Sequence, residues 1–452
     1  MHFDTIAGSY HSPVVSALHK SHLFKANSSV GNSGDAVFFY PRHFAPKTLS
    51  DVTQCLEALK FRVQTFAGGV SLYHWKKRDA KCSPWDFPNL EKALNAKPGR
   101  TSNLSSLFYQ MDDFDPNTDR GKQNIETIIT RPKPFHPNGL YKGFGTTREG
   151  KTREAGELMA KMFARKPPPS GKPYKTCAIV GGSKQLYGRG LGKEIDSAEA
   201  VFRINGHPVA GFEEDVGRRT TARYIYVQGL YGLVAQIVSR VVFNLHLPKC
   251  LNVFGWADKY PFFESAETAQ NYDTNSERTY TGKYWMDAFC SWRNDSIIWH
   301  GIDSFDMRVL EALTNEATHN ATIWLTKKNE FSKDRLTEIF RHTDIPLGTV
   351  VDSTGEIFWR KALGFCEQIS LYGFTFAGDT MRYGYYWSSH PSFVDSAYAA
   401  KHELVKNSRP YDPDDICRRQ NVARTAVAAC MGFFRIGDGT EEYFDMIDES
   451  VP

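Results

Sequence analysis

From Cys177 onward, short apolar and β-branched runs alternate with longer polar segments, and this alternation restricts the fold more than any other feature of the chain. Cys177-Ala178-Ile179-Val180 reads as a short buried strand, Ala200-Val201-Phe202-Arg203-Ile204 as a second and Arg223-Tyr224-Ile225-Tyr226-Val227 as a third. Cys250 to Phe254 and Ser296 to Trp299 read as further strands, and Gln368 to Phe374 follows a predicted helix. Strands alternating with helices predict an α/β fold with a mostly parallel sheet. The run from Lys166 to Pro173 holds four prolines and a glycine and reads as the loop leading into this core. Lys151 to Arg165 before it reads as a helix with Leu158, Met162 and Phe163 on one side. Residues 1 to about 120 carry few periodic signals. The exception is Leu49 to Val63, where Val52, Leu56, Leu59 and Val63 repeat at helical spacing.

At 452 residues and 41% hydrophobic content, the chain can build one large core or two domains. Its net charge of +4 comes from 55 basic and 51 acidic residues mixed along the sequence. The basic runs Lys76-Lys77-Arg78 and Arg218-Arg219 sit among acids and read as solvated surface, so no nucleic-acid partner is expected. No stretch reaches the roughly 18 apolar residues of a membrane span. The nearest, Gly229 to Leu247, is interrupted by Gln236, Ser239, Arg240 and Asn244 and reads as a core helix. The first residues, with His2, Asp4 and His11, do not read as a signal peptide, so the chain as written is either soluble or without its N-terminal anchor. The cysteines are Cys55, Cys82, Cys177, Cys250, Cys290, Cys366, Cys417 and Cys430, with no CxxC pair, which argues against a zinc site. Asn27, Asn103, Asn294 and Asn320 each open an N-x-S/T sequon, a slight lean toward a secretory compartment.

Two segments carry candidate chemistry. The first runs from Gly181-Gly182-Ser183 through Gly188, Gly190 and Gly192-Lys193, directly after a strand, where α/β sheets bind nucleotides. It fails the P-loop pattern at Tyr187 and Glu194 and lacks a full G-x-G-x-x-G, so a tight turn and a ligand loop fit it about equally. The second is Asp352-Ser353-Thr354-Gly355-Glu356, opening a helix through Phe365 with Ile357, Phe358, the Lys361 stem and Phe365 on one face. Ser353 and Glu356 have the spacing of a capping box. The unpaired amides of such a helix start can hold a carboxylate or phosphate, although a capped structural helix has the same sequence.

Taken together, the two segments resemble the eukaryotic and viral sialyltransferase family. Cys177 to Tyr224 resembles that family's long motif, through Cys177 to Gly181, Gly192 to Ser197, Val201 to Asn205, Gly211 to Gly217 and Thr220-Thr221. Asp352 to Phe374 resembles the short motif, with Ser353-Thr354-Gly355, Cys366 and Leu371-Tyr372-Gly373-Phe374 in register. Tyr385-Tyr386-Trp387 is similar to the third motif, and His402 falls where the last motif's histidine is expected. The resemblance spans roughly residues 150 to 410.

The resemblance implies a single Rossmann-like, mostly parallel sheet flanked by helices, a variant GT-A-like domain over residues 121–452, with residues 1–120 of unknown role. It implies transfer of sialic acid from CMP-sialic acid to a hydroxyl of an acceptor glycan, with inversion. Ser183 and Asn205 would contact the CMP donor, together with Tyr385 and Trp387. Ser353, Thr354 and Gly355 would receive the sialic acid carboxylate, His402 would be the general base, and Cys177 and Cys366 would form a disulfide. His390 is the competing base and fits the spacing less well. A nucleotide-sugar donor and a glycan acceptor are the expected partners, and the Golgi lumen is the expected location. CMP carries one phosphate, so no cofactor or metal is expected; Asp113-Phe114-Asp115, the one tempting D-x-D, lies outside the resemblance and reads as loop.

Four departures stand out. Gly182 replaces a frequent asparagine, Tyr385 replaces a frequent histidine, and Asn407 lies where an acidic residue is expected, with Glu403 nearby. Cys177 and Cys366 are also farther apart than usual, which places extra residues at about 255–330. Three rival readings remain: a transferase of another CMP-activated ulosonic acid, a non-catalytic CMP-sugar- or glycan-binding relative, and a nucleotide-dependent oxidoreductase. The last needs an acid at the end of the second strand, where this chain has Arg203-Ile204-Asn205.

Overall fold

A computed structural model describes residues 46–59, 61–73, 85–95, 103–130, 148–165, 168–183, 186–225, 294–299, 323–327, 354–374 and 420–436. The first helix, α1 (Leu49–Ala58), opens on a capping box: the Asp51 amide donates to Thr48 Oγ1 at 3.2 Å and the Thr48 amide to Asp51 Oδ2 at 2.9 Å. The helical spacing in the sequence continues to Val63, but the helix ends at Ala58. Arg62-Val63-Gln64-Thr65-Phe66 forms strand β1, with Val63 opposite Leu72 of β2 (Gly69–Tyr73). A two-residue turn with Gly68 at φ +78° joins them, a backbone state that suits glycine. The Leu59–Val63 spacing therefore mimics a helical repeat across a helix–strand junction. Strand β3 (Trp85–Phe87) completes a small antiparallel sheet.

Helices α2 (Leu90–Asn95) and α3 (Leu104–Leu107), a 3-10 turn (Met111–Phe114), α4 (Asp119–Thr130) and α5 (Arg148–Arg165) follow. The boundary expected near residue 120 falls in the first turn of α4. Among the described side chains of α5, Ala155, Met159 and Phe163 are buried and Leu158 is half-buried, so Met159 joins the expected stripe; the side chain of Met162 lies outside the described residues. Asp113, read as loop, lies in the 3-10 turn. Its carboxylate accepts from the Gln110 amide at 2.8 Å and pairs with Lys327 at 3.1 Å and Arg120 at 2.9 Å. These contacts make it a structural staple.

The main sheet contains β4 (Tyr174–Val180), β5 (Ala200–Ile204), β6 (Ala222–Tyr224), β7 (Ile297–Trp299), β8 (Ile323–Leu325), β9 (Cys366–Tyr372) and β10 (Arg435–Ile436). Their order is β10-β9-β4-β5-β6-β7-β8, and every neighbouring pair is parallel. Helices α6 (Gly192–Asp196), α7 (Glu213–Val216), α8 (Thr354–Ala362) and α9 (Gln420–Cys430) accompany it. The Rossmann-like parallel sheet read from the sequence is present, and β7 and β8 fall within the 255–330 range. The predicted strand Cys250–Phe254 and helix Gly229–Leu247 lie outside the described residues. Helix α8 stops at Ala362, three residues before the predicted end, and Leu363-Gly364 turns the chain into Phe365 and β9.

Alternation along β4 explains the two-sided burial expected of a parallel sheet. Cys177 and Ile179 face a core with Phe202, Phe358 and Phe365, whose rings lie 5.4 to 6.1 Å apart. Ala178 and Val180 face the other side with Leu186, Ile195, Phe212 and Tyr372. The N-terminal elements share the first core: Val52, Leu56 and Leu107 belong to it, and Phe108 lies 5.7 Å from Trp324 and 5.5 Å from Phe365. A disulfide between Cys55 and Cys430 ties α1 to α9.

Candidate functional site

Strand order reverses at β4. From β4 the chain steps outward through β5, β6, β7 and β8, then crosses back to place β9 on the other side of β4. In open α/β sheets the crevice beyond the carboxyl ends of the strands at such a reversal is where ligands bind. Gly181-Gly182-Ser183 leaves the end of β4, and Gly373-Phe374 leaves the end of β9. The Gly181 amide donates to the Tyr372 carbonyl at 2.8 Å and the Ser183 amide to the Gly373 carbonyl at 3.3 Å, so the two ends continue the ladder together. Glycine is required here: a Cβ on Gly181 would stand 2.5 Å from the Gly373 carbonyl oxygen.

Phe374 links this turn to α8. A Cβ on Gly355 would stand 2.6 Å from Phe374 Cε1, and one on Gly181 would stand 3.4 Å from Phe374 Cε2. One aromatic ring thus spans from the end of β4 to the first turn of α8, whose amides carry the partial positive charge of a helix start. Cys177 and Cys366 are joined by a disulfide with Cα atoms 6.0 Å apart, which ties β4 to β9 beneath the crevice.

Asn205 follows β5, the other neighbour of β4. It has φ +58°, and it is the one non-glycine residue with positive φ among the described residues. Its amide donates to the Tyr224 carbonyl at 2.8 Å. The buried Arg223 guanidinium fixes the loop from below: Nη1 donates to the carbonyls of Asn205 at 3.3 Å and His207 at 2.8 Å, and Nε pairs with Asp295 at 2.6 Å. Of the site residues read from the sequence, Ser183, Asn205, Thr354 and Gly355 thus stand at the ends of β4 and β5 and at the start of α8. Ser353, Tyr385, Trp387, His390, His402, Glu403 and Asn407 lie outside the described residues.

Residues 123–406 match glycosyltransferase family 29 (sialyltransferase). The chain belongs to this family.

Among its sialyltransferase relatives is the human alpha-N-acetyl-neuraminyl-2,3-beta-galactosyl-1,3-N-acetyl-galactosaminide alpha-2,6-sialyltransferase, 40% identical over 96 residues, 21% of this chain and 25% of that protein. A Mus musculus CMP-N-acetylneuraminate-beta-galactosamide-alpha-2,3-sialyltransferase 2 is 36% identical over 123 residues, 25% of this chain and 35% of that protein. The chain thus spans about a quarter to a third of the length of these relatives. A solved mammalian sialyltransferase in complex with Gal-beta-1-3GalNAc-ortho-nitrophenol matches at 14% identity with a TM-score of 0.35, over 76% of this chain and 93% of that one.

Several acidic residues in the sialyltransferase motifs serve the scaffold, a role the sequence reading did not assign. Asp215 accepts from the amides of Gly188 at 2.8 Å and Gly190 at 2.9 Å and so holds the glycine-rich loop closed. Asp196 accepts from the amides of Arg218 and Arg219 at 2.8 and 2.9 Å. Glu194 accepts from Arg435 at 2.6 Å and from the Tyr372 hydroxyl at 2.9 Å. Burial and the Glu194 charge push the Tyr372 phenol upward, so it stays a donor. Arg203, 1% exposed, donates to Thr220 Oγ1 and to the carbonyls of Gly217 and Arg219. No local signal marks these pairs, because each carboxylate lies 22 or more residues away in sequence from the groups it holds.

Proposed function

We propose that the chain transfers sialic acid from CMP-sialic acid to a hydroxyl of a galactose-terminated acceptor glycan, with inversion at the anomeric carbon. The observation that carries this reading is the meeting of the β4 turn, the β9 end and the α8 start around Phe374 at the strand reversal. A crevice there offers amides and hydroxyls to one phosphate and a helix start to one carboxylate, the two anionic groups of the donor. Ser183 and Asn205 would bind the CMP moiety with Tyr385 and Trp387, and Ser353, Thr354 and Gly355 the carboxylate. His402 would take the acceptor proton as the hydroxyl attacks and the CMP phosphate leaves, and the amides would stabilise that phosphate. No metal is invoked, because a single departing phosphate can be stabilised by these donors alone. The beta-galactosamide named as the substrate of the alpha-2,3 relative supports a galactose-terminated acceptor. Family membership supports a Golgi location, where residues 121–452 would carry the transferase site, with the described N-terminal elements packed into the same core.

A second reading, a non-catalytic binder of CMP-sugars, is favoured by Tyr385 and Asn407 at positions where histidine and an acid are frequent. A transferase of another CMP-activated ulosonic acid is the nearest variant. CMP release with CMP-Neu5Ac, measured with and without an array of galactose-terminated glycans, separates them. Acceptor-dependent release with sialylated product supports the transferase. Tight CMP binding without release supports the binder, and release with another ulosonic acid alone supports the variant.

A further inference from the structure

The missing asparagine at Gly182 has a structural counterpart. A Cβ built on Gly182 would fall on the Nε2 atom of His207 and stand 2.6 and 2.7 Å from its Cε1 and Cδ2 atoms. The imidazole edge therefore occupies the space into which any side chain at residue 182 would project. His207 is 7% exposed and arrives from the Asn205–His207 loop at the end of β5, while Gly182 belongs to the turn at the end of β4. These are the two loops that bear Asn205 and Ser183.

We propose that His207 is a positioning residue of the donor crevice, supplying at position 207 the volume absent at position 182 and wedging the β4 turn against the β5 loop. The proposal rests on the reading of this crevice as the CMP site. Each loop is already anchored on its far side. The β4 turn is tied to β9 through the Gly181 and Ser183 amides, and the β5 loop is tied to β6 through Arg223 and the carbonyls of Asn205 and His207. The ring lies between these anchors, so its removal would free Ser183 and Asn205 to shift relative to each other. Burial, and then the Arg223 charge, hold the imidazole down at about 3. It is therefore neutral at pH values well above 3, and there it acts through shape and neutral hydrogen bonding.

The test uses the full chain in four forms: wild type, His207→Ala, Gly182→Asn and the double variant. CMP affinity is measured by calorimetry and acceptor KM at saturating donor. Misplacement of contact groups by about 1 Å can cost about a hundredfold, so His207→Ala is expected to weaken CMP at least about tenfold with acceptor KM within about twofold. Gly182→Asn collides with the ring and is expected to weaken CMP as much, whereas the double variant recovers most of the affinity. CMP affinity in His207→Ala equal to wild type, or a double variant no better than Gly182→Asn, overturns the proposal. Melting temperatures of wild type, Gly182→Ala, His207→Ala and their double judge the wedge without any nucleotide. Gly182→Ala should lower the melting temperature only while His207 is present, and additive shifts overturn the wedge even if a variant is too unstable for calorimetry. A wild-type chain that does not bind CMP refutes the nucleotide reading alone and leaves the melting cycle to decide on the wedge.

Discussion

The Arg424 guanidinium grips the Glu356 carboxylate in two places, Nε to Oε1 at 2.8 Å and Nη2 to Oε2 at 3.1 Å, with 5% and 1% of the two side chains exposed. Glu356 stands in the first turn of α8 and Arg424 in α9, so this buried pair fixes the helix start that borders the crevice. Removing one partner of such a pair leaves the other charge in a low-dielectric interior, relieved for Glu356 only by the longer Arg360 contact at 3.9 Å. Arg424→Met or Glu356→Gln should therefore destabilise the fold by about 3–5 kcal/mol. The paired replacement Glu356→Leu/Arg424→Met should recover most of that loss, because two apolar groups leave no buried charge behind. Urea denaturation of the three variants checks this; a double variant as unstable as the singles would mean the pair acts through something other than charge compensation.

The Cys177–Cys366 disulfide closes 189 residues of sequence between two adjacent strands. Loops of this length leave the unfolded chain with much entropy to lose. Removing the bridge by Cys177→Ser/Cys366→Ser should lower stability by about 2–5 kcal/mol. Because β4 and β9 carry the turn and the end that meet in the crevice, the variant should also bind CMP more weakly at temperatures where it remains folded. Non-reducing peptide mapping should recover Cys177–Cys366 and Cys55–Cys430 peptides, and other pairings of these four would refute the bridges.

Lys361 is buried on α8, and burial followed by the Arg360 charge pushes its amine down to about 7 from 10.5. Between about pH 7 and 10.5 the unfolded chain holds a proton that the folded chain has released. Stability therefore rises with pH across this window and is lost as pH falls toward 7, below which the contribution is flat. Lys361→Met removes the titration. It should be more stable than wild type at pH 7, and the difference should shrink by pH 9. Urea midpoints at pH 7, 8 and 9 read this directly, and parallel curves for the two proteins would contradict it.

The sheet was legible where a strand repeats apolar residues over a buried register, as Cys177 to Val180 and Ala200 to Ile204 do. Ile323–Leu325 and Arg435–Ile436 were not read, although β6 and β7 are equally brief or nearly so: two or three residues are too few for a period, and only the apolar runs around Tyr224 and Ile297 reach beyond the strand itself. Val63 shows the opposite failure, since four-residue spacing from Leu59 satisfies a helix template although the chain has already turned into a strand. The Cys55–Cys430 bridge spans 375 residues, and no spacing rule pairs cysteines so distant. In the site, the glycine-rich turn and the α8 start could be read because their backbone demands are written in residue type. The His207–Gly182 relationship could not, because it depends on where two separate loop ends meet, and the sequence records only that one of them lacks a side chain.

His402 is the residue on which the proposed chemistry turns. Inverting displacement needs a base on the acceptor's side of the sugar and the departing phosphate on the other. The base must reach the acceptor oxygen at about 2.6–3.2 Å in the productive complex. A histidine suits this because its ordinary titration lies near neutrality, so the unprotonated form is populated while the conjugate acid is still readily formed. His402→Ala should abolish transfer, by about a hundredfold or more, because general-base catalysis contributes on that scale. CMP affinity should stay near that of wild type, since the histidine acts on the acceptor proton and leaves the nucleotide alone. The acidic limb of the wild-type pH–rate profile should disappear from the residual activity of His402→Ala. His390→Ala, twelve residues earlier in the sequence, should change turnover little. Near-normal turnover in His402→Ala would remove it as the base and move the assignment to His390 or to a carboxylate such as Glu403.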